Sequence, residues 1–220
     1  MSSLLEQTLF QAARYGDITN VRKYLDLGAN IEVKDYRGLT SLQIACVYGH
    51  LDVVRLLLDR GANVDAAGGN TGQTSLIMAS ENGNLDVVKE LLDRGANIEA
   101  ADNFYGWNSL QMASWRGKLN VVKELVDRGA NIFAKNVGGV TARQGAERKG
   151  FLEVAEFLRK KEQAIGRRGV AETVVSNRRA GPDVPTDVQK KIVGYLGGRK
   201  TRRKLVRRKK HKQKKATRRR

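Results

Sequence analysis

A single cysteine, Cys46, in 220 residues leaves nothing from which to build a disulfide framework. With only His50 and His211 beside it, a Cys/His zinc site is also out of reach. No apolar run approaches the roughly 18 residues that a membrane-crossing helix needs. Met1–Asp17 has neither a basic start nor a continuous apolar stretch, so no signal peptide is expected. These absences predict a soluble, intracellular protein with no membrane association, no metal and no cofactor. The length allows one sizeable domain with extra segments.

Acidic residues are missing from one place only. Within Arg199–Arg220, 15 of 22 residues are basic and none is acidic. Residues 1–160 hold 19 Lys+Arg and 19 Asp+Glu, a net charge of zero, whereas residues 161–220 hold 22 against 4, a net +18. A neutral body therefore carries a basic tail, and the two need separate explanations.

Repetition decides the fold. Gly-Ala-Asn starts at Gly28, Gly61, Gly95 and Gly129, with spacings of 33, 34 and 34 residues. A second glycine series, Gly16, Gly49, Gly83, Gly117 and Gly150, follows spacings of 33, 34, 34 and 33. Such periods mean a stacked array whose units bury their apolar faces against their neighbours. In one unit, Thr40 caps a first helix opened by Ser41-Leu42-Gln43-Ile44-Ala45, with Thr74, Asn108 and Thr141 as its equivalents. Gly49 stops that helix. Val53–Arg60 forms a second helix ended by Gly61, and an extended turn leads to the next unit.

These residues resemble an ankyrin-repeat protein. The units Gly38–Ala66, Gly72–Ala100 and Gly106–Ala134 follow that family's G-x-T-x-L-x-x-A…G-x-x-x-V-V-x-x-L-L-x-x-G-A pattern. The resemblance implies an all-α ankyrin-repeat solenoid over residues 4–162, with five helix-turn-helix units carrying β-turn fingers (4–33, 34–66, 67–100, 101–134 and 135–162). The family's T-P-L-H departs here to Thr40-Ser41-Leu42-Gln43, Thr74-Ser75-Leu76-Ile77 and Asn108-Ser109-Leu110-Gln111. Gln43 and Gln111 are able to replace the hydrogen-bonding histidine; Ile77 is not. The end units depart further. Gln7 and Phe10 stand at the Thr40 and Gln43 registers, and Arg143 and Gly145 stand where Leu42 and Ile44 sit, as capping repeats with wetter faces require.

No enzyme is expected. Asp59, Asp93 and Asp127 share one register of successive repeats, which is repeat consensus and not a catalytic pair. Cys46 shares a small-residue register with Ala13, Ser80 and Ser114, so it reads as a packed side chain. His50 follows the helix-stopping glycine and reads as local structure. Gly194–Thr201 resembles a phosphate-binding loop, but Arg199 replaces the glycine before the lysine and no strand precedes it.

The resemblance also implies a concave binding surface, made of turn tips and exposed first-helix ends. Carried over residue by residue, this rule selects 22 positions from Arg14 to Lys149, and they hold seven of the chain's 13 aromatics, both tryptophans included. The expected partner site comprises Tyr15, Tyr36, Arg37, Tyr48, Asn70, Glu81, Phe104, Tyr105, Trp107, Trp115 and Arg116, since Trp, Tyr and Arg dominate interface energies. One or two of these rings, Trp107 among them, are expected to pack down between turns.

Beyond Gln163 the pattern stops, and residues 163–183, with Gly166-Arg167-Arg168-Gly169 and Ala180-Gly181-Pro182, are expected to form a linker. Residues 184–198 predict a short amphipathic helix with Val188, Ile192, Tyr195 and Leu196 on one face. With Val184 and Pro185 it is similar to the first helix of an F-box, L-P-x-E-V-x-x-x-I-x-x-Y-L, as carried after the repeats by ankyrin proteins of large DNA viruses. That likeness implies a Skp1-like partner; a helix docking on the last repeat is the alternative. The tail 199–220, with Arg199, Lys200, Arg202, Arg203, Lys204, Arg207, Arg208, Lys209 and Lys210, is predicted to be disordered. It holds no aromatic, so nucleic-acid contacts would be non-specific and made to phosphates. Nuclear or nucleolar import is its expected use, with a cytoplasmic protein as the alternative. The repeat face, expected to be net neutral, favours a non-enzymatic scaffold with a protein partner. A substrate adaptor for a Skp1–cullin ubiquitin ligase, and a nucleic-acid-associated protein acting through the tail, are the other two readings.

Overall fold

Thr40 begins its helix by a reciprocal cap. Its hydroxyl accepts the Gln43 backbone N–H at 3.3 Å, and Gln43 Oε1 accepts the Thr40 N–H at 2.9 Å. Asn108 with Gln111 and Thr141 with Gln144 repeat this box, whereas Thr74 caps Ile77 without a return bond. The computed structural model describes residues 4–179, with side chains over residues 4–166. Among these it contains ten helices: α1 (Leu4–Tyr15), α2 (Ile18–Asp26), α3 (Ser41–Tyr48), α4 (Leu51–Asp59), α5 (Ser75–Asn82), α6 (Leu85–Asp93), α7 (Ser109–Trp115), α8 (Leu119–Asp127), α9 (Ala142–Lys149) and α10 (Leu152–Arg179). The chain divides into two units, Met1–Lys161 and Glu162–Arg220.

In the first unit the helices form two rows. The odd-numbered helices α1 to α9 pack successively on one another, and α2, α4, α6 and α8 form the second row behind them. Burial follows position. α3 lies between α1 and α5, so Ser41 through Cys46 are buried without interruption. α4 packs on α3 and between α2 and α6 but keeps one face open, and buries Val53, Val54, Leu56 and Leu57 while turning its charges outward. Leu42, Leu57, Leu76, Leu91, Leu110 and Leu125 are fully buried, each contributing about 1.5–3 kcal/mol.

The fingers are joined to one another by main chain. Gly69 N–H donates to Gly38 O, Asn103 N–H to Thr71 O, and Val137 N–H to Tyr105 O, at 2.8–3.0 Å. Gln43 and Gln111 take the histidine's place. Gln43 Nε2 donates to Ala66 O at 2.8 Å and Gln73 O at 3.0 Å, and Gln111 Nε2 to Ala134 O and Val140 O at 3.0 Å. Ile77, fully buried, stands at the same register and has no side-chain hydrogen-bonding group to offer. The last repeat is the wettest: α9 buries only Ala142, Gly145 and Ala146.

Two local expectations are corrected. The second helix of repeat two begins at Leu51, two residues before Val53. Residues 163–179, expected as linker, continue α10 to Arg179. Gly166 and Gly169 each cost about 1 kcal/mol against alanine in a helix. No proline stands between 152 and 179 to stop it, and the intervening Arg, Ala, Glu and Gln are good helix formers. Among the described residues, no helix is long and apolar enough to cross a membrane.

Candidate functional site

The fourth finger is built around a carboxylate. Asp102 is 5% exposed, and its two oxygens accept the backbone N–H groups of Phe104, Tyr105, Gly106 and Trp107 at 2.6–3.2 Å. Four donors aimed at one side chain fix the loop that presents Phe104, Tyr105 and Trp107. The Phe104 and Tyr105 rings meet edge-on at 4.8 Å. Trp107 turns back to meet Trp115, from the end of α7, edge-on at 5.0 Å. Both indoles are half-buried.

Trp115 lies where it does because the next repeat is small there. A Cβ at Gly145 would stand 3.6 Å from Trp115 Cε3, so a longer chain such as Ile44, from the same register, would displace the indole. Lys149 Nζ sits 4.3 Å from the Trp115 ring centre. Arg116 Nε donates to Glu81 Oε1 at 3.0 Å, from one first helix to the next. Between these groups lies an open, mainly apolar cavity of about 330 Å³, lined by Tyr105, Trp107, Met112, Trp115 and Arg116, with Thr71 and Gln73 on its far wall.

A second hollow, about 460 Å³, lies between α1 and the second finger. Phe10, Arg14, Tyr36, Arg37 and Ile44 line it. Asp35 Oδ1 organises this finger by accepting the Arg37 and Leu39 N–H groups at 2.9 Å. Tyr36 is 94% exposed, with the Arg37 guanidinium 5.7 Å from its ring centre. Arg14 lies 5.5 Å over Tyr48.

Eight of the expected residues thus fall into two groups: Tyr105, Trp107, Trp115 and Arg116 around one hollow, with Glu81 joined through Arg116, and Tyr36 and Arg37 at the other, with Tyr48 joined through Arg14. Phe104 stands beside the first group. Tyr15 and Asn70 are exposed but belong to neither. Met112 and Ile44 line the hollows but are not among the expected residues; each stands one helical turn before one that is, Trp115 and Tyr48, which was the available signal. The expected F-box-like residues 184–196 and tail residues 199–210 lie outside the described residues.

The polar residues set aside on sequence have structural work. Arg60 pairs with Asp26, Arg94 with Asp59, Arg128 with Asp93 and Lys161 with Asp127, at 2.7–2.9 Å, each bridging one repeat to the next. The Asp59 and Asp93 carboxylates hold the Arg94 and Arg128 guanidiniums above their ordinary range. His50 Nε2 lies 2.9 Å from Arg14 O, and Asn84 Nδ2 donates to Cys46 O and Val47 O, so each closes the helix end of the preceding repeat. Cys46 is fully buried, and burial pushes its thiol far up. Among the described residues no cluster of His, Cys, Asp and Glu is placed to hold a metal.

Comparison with known proteins agrees with this construction. The family model for ankyrin repeats in three copies matches residues 9–102, and that for a single ankyrin repeat matches residues 105–137. No curated protein matches the chain. Repeats with this period, stacked in two helical rows with fingers tied edge to edge and matched over more than half the chain, place it in the ankyrin-repeat family.

Proposed function

We propose that this ankyrin-repeat chain is a non-enzymatic scaffold that holds a protein partner on the face made by its fingers and first-helix ends. The observation that carries this reading is the Trp107–Trp115 hollow. Two half-buried indoles, an exposed tyrosine and an arginine surround an open apolar cavity, which is the composition and geometry of an interface hot spot. Packing within the stack accounts for the indoles' inner faces but leaves the cavity itself open.

Two further roles fall on the C-terminal segments. The basic tail 199–220 directs the protein to the nucleus or nucleolus. The F-box-like likeness of residues 184–196 supports the second reading, in which the scaffold presents its partner to a ubiquitin ligase through a Skp1-like protein. Affinity purification of the full chain, of Trp115→Ala and of a chain lacking residues 181–220 tests all of this together. Trp115→Ala is expected to weaken the partner by about 2 kcal/mol or more. The truncation is expected to keep the partner. A Skp1-like protein lost on truncation supports the adaptor. A partner that stays with Trp115→Ala and leaves with the truncation refutes the proposed face.

A further inference from the structure

The finger face is not neutral, although the repeats as a whole are. At its registers stand Arg14, Arg37, Arg116, Arg148 and Lys149 against one acidic residue, Glu81, so that five positive charges less one negative leave +4. All five basic residues are exposed. Glu81 is engaged by Arg116. The other carboxylates near the face are turned into their own fingers: Asp102 is buried under four backbone donors, and Asp35 serves Arg37 and Leu39. Beside the tryptophan hollow, beyond the Arg116–Glu81 pair, Lys149 and Arg148 reach solvent, so this rim is cationic while the hollow itself is mainly apolar.

Resting on the reading of this face as a partner site, we propose that its ligand is an acidic segment of another protein that inserts one large apolar side chain into the hollow bordered by Trp107 and Trp115. Three features fix that chemistry. The cavity, about 330 Å³, has the size for one such side chain, and Met112 gives it an adaptable floor. Lys149, and next to it the exposed guanidinium of Arg116 that also holds Glu81, stand at the Trp115 side, placed to meet carboxylates flanking the inserted residue. Lys149 already occupies the π face of Trp115, so a cationic side chain from a ligand meets a like charge where it would otherwise bind best. The chain's own tail, with 15 basic residues among 22, is excluded by the same repulsion.

Both tryptophans of the chain lie in the hollow, so their emission reports its occupancy without a label. The test selects a random dodecapeptide library displayed on phage against the full chain. Counter-selection on the Arg116→Glu/Lys149→Glu variant, which retains the tail, removes peptides that merely follow the tail's charge. Circular dichroism confirms that this variant is folded. Enriched peptides are expected to be acidic with one Phe, Leu or Met, to shift tryptophan emission on titration, and to bind the variant at least tenfold more weakly. Replacing the apolar residue by Ala is expected to cost a similar factor. Enrichment of basic peptides, no enrichment, or binding that leaves the emission unchanged overturns the proposal. So does emission that changes when residues 181–220 are removed, which makes the tail the occupant, or that changes with protein concentration, which makes it a second copy. If acidic peptides fail while Trp115→Ala still releases a purified partner, the face stands and only its assigned chemistry falls.

Discussion

Gln43 offers a quantitative check on how one repeat is fastened to the next finger. Its side chain is fully buried and makes three hydrogen bonds, two beyond its own turn, from Nε2 to Ala66 O and Gln73 O, and one within it, where Oε1 accepts the Thr40 N–H. At about 1 kcal/mol each, with a small cavity added, Gln43→Ala is expected to cost about 3–4 kcal/mol. Gly68 lies against the same atoms. A Cβ there would stand 2.0 Å from Gln43 Oε1 and 2.6 Å from Cδ, so alanine must expel the amide from its site. Gly68 is not among the positive-φ glycines, and alanine meets no backbone strain of its own. Gly68→Ala alone should therefore cost about 3 kcal/mol, all of it through Gln43. In the Gln43→Ala background the new methyl enters vacated space and should cost nearly nothing. The double mutant is thus expected to match Gln43→Ala, with a coupling of about 3 kcal/mol relative to additivity. Equilibrium urea unfolding followed by far-ultraviolet circular dichroism measures all four corners. Costs that add to within about 0.5 kcal/mol would refute the strap.

Asp102→Ala removes the acceptor shared by four finger N–H groups, and is expected to cost about 2 kcal/mol while freeing Trp107. Unfolding midpoints together with a red-shifted tryptophan emission check it, and an unchanged emission would mean the finger holds itself. Cys46 is expected to resist dithionitrobenzoate in the native state and to react only at the rate of unfolding. Because burial raises its folded-state pKa, the protein loses stability as pH climbs past the ordinary thiol value of about 8.5, where only the unfolded thiol ionises. Fast labelling at neutral pH would place Cys46 outside the core.

What the sequence made legible was local or periodic. Thr40 and Gly49 mark a helix start and stop because each acts on backbone within a few residues of itself. The fully buried first helices follow from the repeat, since only stacking explains why Ser41 to Cys46 are buried on every side. The clustering of aromatics at finger registers was equally visible. Their arrangement was not. Trp115 depends on Gly145, thirty residues away, and on a register that emerges only when α7 and α9 are packed. Likewise the pairing of Arg116 with Glu81 spans 35 residues, and the cationic character of the face appears once Asp102 and Asp35 are seen turned inward. Gly166 and Gly169 misled in the opposite sense: read locally they punctuate, yet the surrounding helix formers carry the chain past them.

The bonds that bridge neighbouring repeats all span nearly one distance along the chain. The glutamine strap from Gln43 to Gln73 covers 30 residues and the amide bond from Asn84 to Cys46 covers 38, with the finger-to-finger and ion-pair links between. Loop-closure entropy rises with the logarithm of that distance, so no step in assembling the stack closes a loop much longer than one period. Folding speed is then governed by the repeat and not by the chain, as topology-limited rates require. Any unit that forms first serves as a template for the next on either side, at the same entropic cost each time. Gain or loss of a whole period by duplication or deletion would change how far this zipper runs and leave the difficulty of every tooth as it was.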